Sequence, residues 1–200
     1  MTDLKKVAEE FSEYMTKRFD CEVIPKEGAP EMDAVALGFD LARFFGATGV
    51  ADGDDFKSRF STTIGSRIYM PKSHREDPLR FIEILTHECQ HVLQFQESGV
   101  KFAWLYLAKP EARVKYEADA YAAGLAVERW LLGDLDVATL DWIVGSLVSS
   151  YHLRASDADL AAKMLKSHFV SIKNGVVMSK AGREAISWLD KNYPELKGKA

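Results

Sequence analysis

Residues 77–99 read DPLRFIEILTHECQHVLQFQESG, a sequence that predicts one long helix from Pro78 to about Ser98. Asp77 is a good N-cap residue, and Pro78 suits the first helical position, where its missing N–H costs no bond within the helix. Gly99 suits the position just beyond the last turn, because glycine readily adopts a positive φ. The many apolar residues between these ends predict that the helix is buried.

The middle of this helix contains His87-Glu88-Cys89-Gln90-His91. His87 and His91 are four residues apart, so their side chains project from one face of the helix. Two imidazoles in this arrangement can occupy adjacent corners of a tetrahedral Zn²⁺ site. Glu88 lies one position further around the helix, where it can act on a water at the metal without being a ligand. Cys89 lies nearly opposite His87, which favours packing in the core.

A second helix is predicted to begin at Pro110 and to end at Leu132, before Gly133. Residues 116–124 of this helix read YEADAYAAG, and five of the eight residues after Glu117 are alanine or glycine. Small residues allow two helices to approach closely, as two helices must if they share one ion. Glu117 is therefore the predicted third metal ligand.

His87-Glu88-x-x-His91, followed by Glu117 in a Glu-Ala-x-Ala-Tyr-Ala setting, resembles the gluzincin branch of the zinc metallopeptidases. It is most similar to the compact members of that branch, the minigluzincins and the ImmA/IrrE-type peptidases of bacteria and phages. The resemblance covers roughly residues 56–132. It implies that His87, His91 and Glu117 bind Zn²⁺ and that Glu88 is the general base. We therefore expect a mostly helical α+β fold of the zincin type, with a small twisted sheet packed on the active-site helix.

Residues 60–70 alternate in polarity and predict a single strand with one buried face, on which Ile64 and Ile68 lie together. The resemblance implies that this strand is at the edge of the sheet and that an extended peptide substrate adds to it as a further strand. The predicted substrate-binding residues are Ile64, Gly65, Ser66, Arg67 and Ile68.

The sequence departs from the gluzincin pattern at Tyr121, where many members carry an aspartate that orients a zinc histidine. The partners of the two histidines are therefore not assigned from the sequence. The histidine or tyrosine that stabilises the transition state in the family is not marked by a motif either. Tyr151 and His152, at the end of a predicted helix, are the candidate catalytic residues for this role, with Tyr106 and Tyr121 as alternatives.

The rest of the chain reads mainly as amphipathic helices. Residues 1–133 are predicted to form the zincin-like catalytic core. Residues 134–200 are predicted to form a helical C-terminal subdomain of the same domain, because their apolar stripes must be buried against something. The predicted elements outside the two site helices are helices at residues 3–19, Glu31–Phe45, Val137–Tyr151, Ser156–Ile172 and Lys180–Lys191, a short β-like run at Cys21–Ile24 and a loop at Gly46–Asp55.

The composition limits the classes of function. A hydrophobic fraction of 47% is enough for a core, and a net charge of −4 argues against nucleic acid as the main partner. No window approaches the ~20 apolar residues that span a bilayer, so no membrane partner is expected. Two cysteines cannot form a disulfide framework. These features predict a cytoplasmic protein, or one of the host cytoplasm or the virion if a phage encodes it; they do not indicate an oligomeric state.

The function predicted from these residues is that of a zinc-dependent metallopeptidase acting on a peptide or protein substrate. Two alternatives remain open. One is a non-enzymatic phage structural or regulatory protein that retains a zincin fold, and the other is a latent peptidase covered by the segment after Asp134. The complete ligand set favours an enzyme over a structural protein, since a purely structural zinc site does not need Glu88.

Overall fold

The computed structural model describes residues 2–33, 60–151 and 153–199. The greater part of the predicted helix Glu31–Phe45, the predicted loop Gly46–Asp55 and His152 lie outside the described residues. Within them, the protein is mostly helical and has one small mixed sheet of three strands, which is the predicted α+β class.

The predicted helices within the described residues are confirmed, with ends within one or two residues of the expected positions. Two helices that the sequence did not predict, α2 and α4, lie on either side of the motif helix. The helices are α1 (Leu4–Phe19), α2 (Lys72–Arg75), α3 (Pro78–Ser98), α4 (Val100–Ala108), α5 (Pro110–Leu132), α6 (Val137–Tyr151), α7 (Ala155–Lys173) and α8 (Lys180–Asn192), followed by a 3₁₀ turn at Pro194–Leu196. The strands are β1 (Glu22–Pro25), β2 (Thr62–Ile64) and β3 (Arg67–Met70).

The ends of α3 follow from local capping chemistry. The Asp77 side chain accepts hydrogen bonds from the backbone N–H groups of Leu79 and Arg80, at 3.1 and 3.2 Å. At the other end Gly99 has φ +55°, and its N–H donates to the carbonyl of Phe95. The helix that carries the histidine motif is therefore fixed at both ends by residues of its own segment.

The prediction of a single strand over residues 60–70 is wrong. The segment folds into a hairpin in which β2 and β3 pair antiparallel, with Ile64 opposite Arg67 and two residues between them. Gly65 has φ +64°, which suits the first central residue of a type II′ turn. Because the chain reverses there, Ile68 lies fully buried while Ile64 is 46% exposed.

The sheet order is β1-β3-β2, so β3 is the central strand. Val23 of β1 pairs with Ile68 in parallel, and Thr63 of β2 pairs with the same residue antiparallel. Both edges of β3 are thus occupied. Among the described strands, β2 and β1 are the outer ones.

Helix α5 is the centre of the helical part. Its residues Ala123 and Val127 lie in a buried cluster with α1, β3, α3 and α8, while Ala118 and Ala122 lie in a second buried cluster with α6 and α7. A helix buried on opposite sides needs small side chains to let its neighbours approach, which explains the alanine-rich sequence. No helix in the described part of the chain combines the length and the apolarity needed to cross a membrane.

Candidate metal centre

The two motif histidines lie side by side on α3, with ring centroids 4.9 Å apart. Glu117 reaches them from α5. Its Oε2 is 3.7 Å from Nε2 of His87, and its Oε1 is 3.6 Å from Nε2 of His91. Zn–N and Zn–O bonds of about 2.1 Å at tetrahedral angles would separate ligand atoms by about 3.4 Å. The three predicted ligands therefore form a cluster that could hold a metal ion, and it is the only such group found among the described residues.

The protonation of the cluster suits a divalent cation. Burial, together with the neighbouring His91, lowers the pKa of His87 to about 3, so this imidazole is neutral. Burial would also lower the pKa of His91, but the Glu117 carboxylate, together with the charge of Glu88 and the hydrogen bond with Gln94, raises that pKa to about 9. Burial would raise the pKa of Glu117, and the charge of His91 lowers it to about 2. Without an ion the site holds a protonated His91 beside an anionic Glu117, and a cation would take the place of that proton.

Gln94 is the partner that orients His91, one of the assignments that the sequence left open. Its Oε1 lies 2.8 Å from Nδ1 of His91, and its Nε2 donates to the carbonyl of Tyr116 at 3.0 Å. The second bond fixes the orientation of the amide, so Nδ1 of His91 is the hydrogen-bond donor. Nε2 of His91 is then the nitrogen that faces Glu117, as a metal ligand requires.

We expect Gln94→Leu to weaken metal binding by about 10–100-fold, the usual cost of losing a residue that orients a ligand. The change removes the acceptor of His91 Nδ1–H and leaves the three ligands in place. The measurement is competition for Zn²⁺ with a chromogenic chelator. Gln94→Glu keeps an acceptor at this position and should retain most of the affinity. Equal affinities in wild type and Gln94→Leu would show that Gln94 does not orient the ligand.

Glu88 is buried, with only 5% of its surface exposed, and it is not a member of the ligand cluster. Its Oε2 accepts a 2.6 Å hydrogen bond from the hydroxyl of Thr63 on β2. Burial raises the pKa of Glu88, and the charge of nearby His91 acts in the opposite direction. Lys26 in turn holds the start of β2, because its Nζ donates to the hydroxyl of Thr62 at 2.9 Å and to the carbonyl of Phe60, just before the strand, at 2.6 Å. The motif acid is thus tied to strand β2.

Three tyrosines named from the sequence lie at the cluster. Tyr151 donates to Oε1 of Glu117 at 2.9 Å, and Tyr106 from α4 donates to the same oxygen. The ring of Tyr121 meets His87 edge-on, with centroids 4.7 Å apart. Burial raises the pKa of all three phenols. The structure therefore brings together the described candidates for the stabilising role, while His152 lies outside the described residues.

The predicted substrate-binding residues do not all have the expected position. Arg67 and Ile68 belong to the central strand β3, whose backbone is paired on both sides, so an added peptide strand cannot pair with them. Gly65 and Ser66 form the hairpin turn. Of the five residues, only Ile64 belongs to β2, which is an outer strand among those described and is tied to Glu88.

Cys89 is fully buried in the core cluster around α3, as its position on the helix predicted. It is a free thiol and takes no part in the ligand cluster.

Comparisons of the chain with protein-family models, with curated proteins and with solved structures find no match. The geometry of this site is therefore the basis for assigning a function.

Proposed function

We propose that this chain is a zinc-dependent peptidase with a zincin-like fold, of the gluzincin type that its motif resembles. The observation that carries the proposal is the combination of a three-ligand cluster with a buried acid beside it. His87, His91 and Glu117 supply the ligands. A structural zinc site needs ligands only, so the presence of Glu88, buried and outside the ligand set, favours catalysis.

The donor set fits Zn²⁺. Two imidazole nitrogens and one carboxylate oxygen would occupy three positions of a four-coordinate ion and leave one for water, as in catalytic rather than structural zinc sites. The neutral state of His87 and the anionic state of Glu117 are those that ligands must adopt. Gln94 completes the fit, because it accepts from Nδ1–H of His91 and so leaves Nε2 as the nitrogen that would lose its proton and bind the cation.

In the proposed reaction, the bound ion would polarise the scissile carbonyl and activate a water. Glu88 accepts the proton of the attacking water and returns it to the amine that leaves, so its carboxylate ends the cycle as it began. Thr63 holds Oε2 of Glu88 and so fixes the orientation of the carboxylate. A buried acid with a raised pKa is suited to both halves of this transfer.

The proposed substrate is an extended peptide or an exposed loop of a protein, lying along β2. An extended chain gains main-chain hydrogen bonds when it pairs with an outer strand, as β2 is among the described strands, and alternate side chains then face the site. The hydrogen bond from Thr63 to Glu88 supports β2 for this role, because it places the strand next to the base.

The proposal is tested by metal analysis and peptide hydrolysis of the full chain. We expect one Zn²⁺ per chain, and cleavage of unstructured peptides that a chelator abolishes and added Zn²⁺ restores. Mass spectrometry of a diverse peptide mixture detects the cleavage whatever the sequence specificity of the enzyme. Glu117→Ala should lose most of the zinc affinity and all detectable hydrolysis, because it removes one of the three ligands.

Asp119→Ala is the matched control for this experiment. Asp119 is an acid on the same helix, and it pairs with His168 at 3.2 Å, outside the ligand cluster. Its removal should leave zinc content and hydrolysis unchanged. Retention of stoichiometric zinc by Glu117→Ala, with unchanged affinity, would contradict the ligand assignment. Full zinc occupancy of wild type without cleavage of any peptide would contradict the peptidase assignment.

A further inference from the structure

Oε1 of Glu117 is the meeting point of two phenols from two different helices. Tyr106 of α4 and Tyr151 of α6 both contact this oxygen, and their own hydroxyl oxygens lie 2.8 Å apart. Oε1 also lies 3.6 Å from Nε2 of His91, whereas the other oxygen, Oε2, lies 3.7 Å from Nε2 of His87 and has no phenol contact in the described structure. The two oxygens of the same ligand thus have different surroundings.

The two hydroxyl oxygens and Oε1 of Glu117 make three contacts with one another, and the two phenols have one proton each to place in them. Tyrosine has a pKa of about 10, so both phenols are protonated at neutral pH. A hydrogen bond to a carboxylate is roughly twice as strong as one between neutral groups. Both protons therefore go to Oε1 of Glu117, and the contact between the two hydroxyl oxygens carries no proton. Because a carboxylate oxygen has two lone pairs, both lone pairs of Oε1 are then used.

Arg113 fixes the two phenols in this position. Its guanidinium lies over the rings of Tyr106 and Tyr151, 5.6 and 5.2 Å from their centroids. The same group donates to the backbone carbonyls of Tyr106 and Leu107, at 2.7 and 2.8 Å. One side chain of α5 therefore joins the end of α4 to α6, next to the carboxylate that both phenols contact.

We propose that Tyr106 and Tyr151 are positioning residues that make Glu117 a monodentate metal ligand, bound through Oε2 alone. The inference rests on the metal centre of the proposed function and adds to it the number of bonds that Glu117 makes to the ion. With Oε1 occupied, Glu117 would supply one bond, and together with His87 and His91 it would make three protein ligands. One position of a four-coordinate ion would then stay available for water and substrate.

The test replaces each phenol by phenylalanine, which removes a hydroxyl and keeps the ring. The probe is Co²⁺ in place of Zn²⁺, because four-coordinate Co²⁺ absorbs visible light much more strongly than five-coordinate Co²⁺. Wild type should show the intense spectrum. Tyr151→Phe frees one lone pair of Oε1, and the Tyr106→Phe/Tyr151→Phe double variant frees both, so the absorption should weaken as this oxygen joins the shell. The affinity for Zn²⁺ should fall by about 10–100-fold in the double variant.

Tyr116→Phe is the matched control. Tyr116 lies next to Glu117 in the sequence, and its ring packs on Phe102, 4.7 Å away between centroids. The phenols that donate to the Glu117 carboxylate in the described structure are those of Tyr106 and Tyr151, not that of Tyr116. Spectrum and affinity of the control should match those of wild type. If the double variant does not fold, the single variants carry the same test, since each frees a lone pair.

The outcomes separate this inference from the proposed function. Failure of wild type to bind either metal would contradict the metal centre itself. Metal binding by wild type with a five-coordinate spectrum, or variants with the spectrum and affinity of Tyr116→Phe, would contradict only the positioning role. A fall in kcat with unchanged spectrum and zinc affinity would likewise overturn it, because the phenols would then act on the reacting carbonyl and not through Glu117.

Discussion

Glu88→Gln is expected to lower the rate of peptide hydrolysis by about 10²–10⁴-fold, the usual contribution of a general base, with zinc still bound. The amide has the shape of the carboxylate and can still accept the hydrogen bond from Thr63. It cannot take a proton from water. Because Glu88 is not in the ligand cluster, the loss should fall on kcat, and the zinc content should stay at that of wild type.

Glu97→Gln provides the matched control for this prediction. It makes the same chemical change on the same helix at an exposed position, nine residues beyond Glu88. Zinc content by elemental analysis and kcat on one cleaved peptide are measured for wild type and both variants. A Glu88→Gln protein as active as Glu97→Gln would exclude Glu88 as the base. Loss of zinc from Glu88→Gln alone would show that the residue is needed for coordination.

The two ligand helices could be predicted because the information for each is local. Asp77 and Pro78 define the start of α3, and Gly99 defines its end. The i, i+4 spacing of the histidines then fixes their shared face, whatever the rest of the chain does. Glu117 reaches that face from a different helix, which depends on long-range packing. The run of small residues after Glu117 nevertheless marked α5 as the helix that approaches closely.

The hairpin was not predicted because apolar and polar residues alternate along both of its strands, and the alternation continues across the two turn residues without a visible break. In a continuous strand Ile64 and Ile68 would share a face, since they are four residues apart. In the hairpin, Ile68 instead shares a face with its cross-strand partner Thr63, and Ile64 shares one with Arg67. The Gly65-Ser66 pair was the available signal for a turn, because glycine suits the positive φ that a type II′ turn requires.

The surroundings of the metal ligands were only partly encoded in local sequence. Gln94 follows His91 by three residues, so it lies on the same face of α3 and could have been found from spacing alone. Tyr106 is named from the sequence as an alternative candidate, but its contact with Glu117 could not be found from spacing, because it belongs to α4, where Val100 and Leu107 are 81% and 71% exposed. A helix with large apolar residues on its exposed side shows no polar face, and periodicity therefore gave no reason to predict it.

Removal of the segment after Gly133 is expected to abolish cooperative folding. Ala181 and Leu189 of α8 are fully buried in the cluster that contains α3, and the N–H of Ala181 donates to the side chain of Gln90. Helices α6 and α7 cover the other side of α5. A chain ending at Gly133 would expose to water the surface of α3 that packs on α8 and both sides of α5. We expect it to lose near-UV circular dichroism and to bind a hydrophobic dye, as molten states do.

A chain ending at Leu196 is the control, because the residues it lacks are exposed where the structure describes them, and it should unfold cooperatively like the full chain. The comparison also decides between the integral segment and the latent peptidase. The contact of Tyr151 with Glu117 means that the segment supplies part of the site as well as part of the core, so its loss should reduce zinc affinity too. If the chain ending at Gly133 instead folds cooperatively, binds zinc and cleaves peptides faster than the full chain, the segment is an inhibitory cover over a complete catalytic core.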